Sequence, residues 1–68
     1  MKIGDIVLVM VDEGILRPAI VTFAHSEMVV NATVFLEPHD TPREWSRDFR
    51  KEIYKGEGVN QWRLKEEE

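Results

Sequence analysis

The sequence predicts an all-β domain, a small five-stranded barrel with a one-turn helix in the loop before the fourth strand. Three observations predict it. Short runs rich in valine, isoleucine and phenylalanine alternate with Gly-, Pro- or Asp-bearing breaks along the 68 residues. The run over 28–36 is apolar at every even position: Met28, Val30, Ala32, Val34 and Leu36. The first run, within 3–11, is apolar on both faces, which a closed or strongly bent sheet covers and a flat one does not.

Strand one carries Ile6, Leu8 and Met10 on one face and Val7, Val9 and Val11 on the other. It is too short and too β-branched for a good helix. Asp12-Glu13-Gly14 makes a turn, so strands one and two form a hairpin. Strand two covers about 16–24, with Ala19, Val21 and Phe23 on one face and Ile20, Thr22 and Ala24 on the other. Pro18 donates no ladder hydrogen bond, so it belongs at the strand's start or beside an unpaired edge. A tight turn at His25-Ser26-Glu27 leads into strand three, 28–36, whose even positions face the core.

The segment 37–42 holds two prolines and no periodicity and reads as a loop. A helix start follows: Thr41 as N-cap, Pro42 at the first helical position and Glu44 completing a capping box. The helix runs a turn or two, to about Asp48, with Trp45 and Phe49 on one side of it. Strand four, 49–55, sets Phe49, Lys51 and Ile53 against Arg50, Glu52 and Tyr54. After a turn at 56–58, strand five covers 59–65 with Trp62 and Leu64 facing in. Residues 1–65 thus form one barrel of the SH3-like type, and 66–68 an acidic, frayed tail. The competing architecture is an open, bent antiparallel sheet that dimerises through strand one.

Composition narrows the function. The chain has no cysteine, which excludes disulfides and cysteine-ligated zinc. No stretch approaches the ~20 apolar residues of a membrane helix, and the early Gly4-Asp5 interrupts any signal-peptide pattern, so a cytoplasmic protein is expected. A net charge of −4 opposes global attraction to nucleic acid or anionic lipid.

Candidate chemistry is sparse. His25 lies in a turn and His39 in a Pro-bounded loop, without metal-ligand spacing, and both read first as loop histidines; no metal or cofactor is expected. Ser26 beside His25 and Ser46 near Asp48 are sequence neighbours only, so no nucleophile–base pair is assigned. Arg17, before Pro18 at the mouth of an apolar strand, can hold an anion in its guanidinium fork, although a strand-end ion pair explains it as well.

Between 43 and 55, Arg43, Arg47, Arg50, Lys51 and Lys55 interleave with Trp45, Phe49 and Tyr54, a mixture that can stack and neutralise single-stranded nucleic acid. Glu44, Asp48 and Glu52 alternate with them, which is also the pattern of a self-paired surface. Trp45 either plugs the barrel or, exposed beside Phe35 and Tyr54, anchors a protein partner.

Two resemblances add to this reading. Gly4-Asp5-Ile6-Val7 with Arg17-Pro18-Ala19-Ile20-Val21 resembles the opening of the MazF/PemK toxin ribonucleases. That resemblance implies an SH3-like core and gives Arg17 the part of an arginine that helps cleave RNA. The pattern of Arg17 to Thr22, then Val30-Asn31-Ala32-Thr33-Val34-Phe35, then Trp62 is similar to short phage-encoded proteins of unassigned function. It implies a small barrel and a phage or prophage origin, and assigns no reaction.

The expectation is a non-enzymatic accessory protein that binds another protein, a second copy included, with Phe35, Arg43, Trp45, Arg47, Arg50 and Tyr54 as the contact residues. Nucleic-acid binding through 43–55 is the alternative, and an RNA-cleaving relic built on Arg17 the third.

Overall fold

The computed structural model describes the backbone of residues 1–36 and 46–67, and their side chains except at 46 and 67. Five strands form one antiparallel sheet: β1 (Ile6–Asp12), β2 (Ile15–Ala24), β3 (Val29–Leu36), β4 (Ser46–Tyr54) and β5 (Trp62–Arg63). Their order across the sheet is β4-β3-β2-β1-β5. The first four are joined as neighbours, while β5 returns to the far side of β1, pairing Leu8 with Arg63 and Val9 with Trp62. All-β architecture and five antiparallel strands are as the sequence predicts.

The β1–β2 turn at Glu13-Gly14 places Gly14 at φ 75°, where a glycine carries no steric penalty. In the second turn the Ser26 hydroxyl accepts from the N–H groups of Met28 and Val29 at 3.2 and 3.1 Å, so Ser26 is the turn former. Pro18 lies mid-strand opposite Leu8. Its missing N–H is harmless because of register. Val21 donates to Asp5 across to β1, so in the alternating ladder the even positions of β2 address β3. The β2–β3 ladder begins at Ala19↔Val34, one residue past the proline.

The core lies on one face. Val7 and Val9, Ala19 and Val21, and Val30, Ala32 and Val34 are fully buried, joined by Ile53 and Trp62, with Met1, Val11, Ala24, Leu36 and Leu64 packed around them. The even face of β3 is therefore the inner face, except at Met28, which stands exposed in the turn.

Of three register slips, one between Met10 and Asp12 lies at the end of β1, and the other two correct the expected alternation. Between Val21 and Phe23 the β2–β3 register slips, so Ala24 reaches the core and Phe23 turns outward at 50% exposure. Between Arg50 and Ile53, opposite Val30 and Ala32, the β3–β4 register slips again, and Ile53 is buried while Phe49 and Lys51 are exposed. Glu52, within this bulge, has φ 50°.

Other expectations shift. β4 begins at Ser46, so the helix does not extend to Asp48; its start at 41–45, Trp45 included, lies outside the described residues. The fifth strand shrinks to two residues, followed by a 3-10 turn, Lys65–Glu67, where strand and frayed tail were expected. The edges β4 and β5 meet at an isolated bridge, Lys55↔Trp62, and do not form a continuous ladder, so the sheet bends strongly without closing.

Candidate functional site

Side chains alternate across each strand, so knowing the inner residues assigns the outer ones. With Val7, Val9, Ala19, Val21, Val30, Ala32 and Val34 inside, the outer face carries Ile6, Leu8 and Met10 on β1, and Leu16, Pro18 and Ile20 on β2. On β3 it carries Thr33 and Phe35, and on β4 their partners Phe49 and Arg47. Arg63, opposite Leu8, completes it on β5.

Three rows cross the strands. Met10 faces Leu16. Arg63, Leu8 and Pro18 continue, one register step beyond Ala19↔Val34, into Phe35 and Arg47. Ile6, Ile20, Thr33 and Phe49 form the third. Ile6 is 54% and Phe49 53% exposed, and Leu8, Met10, Leu16, Ile20 and Phe35 are half-buried. This is a contiguous apolar surface on a chain of net charge −4.

The residues expected to act together separate. Phe35 and Arg47 are cross-strand partners on this face. Tyr54 is also outward and well exposed, but pairs with Val29, about 20 Å along β3 from Phe35 at ~3.3 Å per residue. Arg50, opposite Ala32, is on the inner side. Its Nε donates to Asp48 Oδ2 at 2.7 Å and its Nη1 to Asn60 Oδ1 at 2.8 Å. Asn60 N–H in turn donates to Met10 O, so Arg50 ties β4 to the segment flanking β1 and is a brace across the open seam. Arg43 and Trp45 lie outside the described residues.

Arg17 sits opposite Val9, half-buried, and donates through Nη1 to the Leu16 carbonyl at 3.3 Å. His25 is exposed; its Nε2 lies 2.8 Å from Asn31 Oδ1 and its ring meets the Phe23 ring edge-on at 4.9 Å. His39 lies outside the described residues. Among the described residues no group of three or more histidine or carboxylate side chains is placed to hold a metal ion.

A cleft of about 130 Å³ opens at the seam, lined by Lys55, Gly56, Glu57 and Arg63. Lys55 Nζ stands 5.6 Å from the centre of the Trp62 ring, and Gly56 N–H donates to Trp62 O at 2.9 Å. These contacts fasten the end of β4 to β5.

Of the outer face, sequence reasoning singled out Phe35 and Arg47 alone as contact residues; its apolar centre, with Ile6, Leu8 and Ile20, was passed over. Their signal was present in strand one, apolar on both sides, and in the even positions of strand two. Asn31 was also passed over, as one polar residue on a mixed strand face. Compared with protein-family models, with characterised proteins and with solved structures, the chain matches none of them.

Proposed function

We propose that this chain is a non-enzymatic, SH3-like binding module, a phage or prophage accessory protein of the host cytoplasm, that docks another protein through the outer face of β1–β4. The observation that supports it is the outer face itself. In a chain of this size a single core rarely supplies more than roughly 3–5 kcal/mol, so apolar side chains left outside it are a poor use of sequence unless a partner covers them. Self-association is one form of that binding. The SH3-like description draws support from the strongly bent five-stranded sheet whose edges approach at Lys55 and Trp62.

Light scattering across a concentration series, with Ile20→Lys as the control, tests the homo-oligomer clause. A mass that rises with concentration and falls back in the variant supports it; a strict monomer at millimolar concentration removes it.

Nucleic-acid binding draws less support, because Arg50 is turned to the opposite side from Phe35, Arg47 and Tyr54. A salt-dependent affinity for single strands that drops in Arg47→Ala is the result that would revive it.

A further inference from the structure

We infer that the outer face takes a partner segment that is apolar along its centre and carries carboxylates at its two ends, a heterologous acidic amphipathic segment and not a second copy of this chain. The inference rests on the protein-binding reading above and names the partner's chemistry.

Charge placement carries it. The chain has 13 acidic and 9 basic residues, yet none of the residues in the three outer rows is acidic. The described carboxylates lie outside these rows: Asp5 and Glu27 in turns, Asp12 and Glu13 at the hairpin tip, Asp48 paired with Arg50 on the inner side, Glu52 in the bulge, Glu66 in the final turn, and Glu57 in the seam cleft that Arg63 also lines. The long row instead has an arginine at each end, Arg63 on β5 and Arg47 on β4, with Leu8, Pro18 and Phe35 between them.

A second copy presenting the same rows would set arginine ends against arginine ends, and those rows themselves bring no carboxylate to meet them. Like charges across an interface cost affinity, and complementary ones select the partner. Neither arginine has to be free of contacts within its own chain, because a guanidinium offers five N–H donors and can share them.

The spacing is specific. Arg63 and Arg47 are four strand steps apart, about 19 Å along the curved surface at ~4.8 Å per step. A helical segment rises 1.5 Å per residue and spans the chord of that path, so its carboxylates would stand at most about thirteen positions apart.

The test uses two synthetic 20-residue amphipathic peptides with one shared leucine face. One carries glutamates thirteen positions apart, the other lysines at the same places. Each is titrated into isotope-labelled protein and followed by amide chemical shifts.

The expected result is at least tenfold tighter binding of the glutamate peptide at low salt, with shifts centred on Leu8, Phe35 and Arg47 and a preference that collapses at 0.5 M salt. In Arg47→Glu/Arg63→Glu the preference inverts toward the lysine peptide. Arg47→Glu alone, at an exposed position, narrows the preference even if the double variant fails to fold. Equal affinity for both peptides overturns the charge inference while leaving the protein-binding reading intact. Shifts elsewhere, or self-association through this face, overturn it as well. If neither peptide binds at millimolar concentration and the chain stays a monomer, both readings fall.

Discussion

Asn31 Oδ1 accepts the Glu52 N–H at 2.8 Å and lies 2.8 Å from His25 Nε2, which must carry the ring proton there because the amide oxygen only accepts. Both bulges in the ladders of β3 fall at the level of this residue: β2 slips beside Phe23, its partner, and β4 slips between Arg50 and Ile53. One side-chain carbonyl therefore satisfies a backbone donor that the bulge removes from the ladder. It also holds Glu52 in a left-handed conformation that costs a residue with a Cβ roughly 1–2 kcal/mol. Asn31→Ala should lose about 0.5–1.5 kcal/mol, the net worth of one hydrogen bond whose freed donor water can reach, whereas Asn31→Asp keeps an acceptor and loses less. Urea denaturation of the two variants checks this; equal losses would mean that the oxygen is not what matters.

At the scale of the strands, the sequence revealed β1, β2 and β3 because each buries one face against water, and burial writes itself as alternation. What it hid were the slips. Phe23 is the larger apolar residue, so alternation put it inward, but a single extra residue in β2 sends it out and brings Ala24 in. Phe49 and Ile53 share a parity and look like one face, until the β4 bulge puts them on opposite sides. No local propensity marks either bulge; only the long-range pairing with β3 does. The site was legible to a similar extent. Phe35 and Arg47 do meet, and the two-sided apolar character of strand one is the outer face in outline, while Arg50 became a brace through its pairing with Asp48 and Asn60. Strand five was read as seven residues, but its ordered pairing is confined to Trp62 and Arg63. That brevity concentrates its contribution in one side chain. Trp62 is buried and its Nε1–H donates to Met28 O at 3.1 Å. Trp62→Ala should cost ~3–5 kcal/mol, as much as the roughly 3–5 kcal/mol such a small core supplies, and leave the chain unfolded in water. Trp62→Phe should stay folded at lower melting temperature, and circular dichroism with thermal melts distinguishes the two.

Over the whole molecule, charge and apolar surface are segregated. Most of the described carboxylates occupy the turns, the tip and the seam, most of the valines and Trp62 occupy the interior, and a block of apolar residues on β1 to β4 faces outward between two arginines. The arrangement of the strands adds a constraint in time. β1 to β4 pair each with the next in sequence, but β5 reaches back to Leu8 and Val9 from more than fifty positions away. Loop closure over that length must precede any return from the contact, and chains dominated by distant pairings fold slowly. The β5–β1 join should therefore form late, after the barrier. Trp62→Phe should speed unfolding and leave the refolding rate nearly unchanged, whereas Val21→Ala, between two sequence-adjacent strands, should slow refolding. Stopped-flow chevrons of the two variants check the order, and a refolding limb displaced by Trp62→Phe would place the clasp in the nucleus instead. A chain built this way spends the end of each folding event with its first strand still uncovered along one edge, the interval in which a neighbouring molecule's strand competes for the same place.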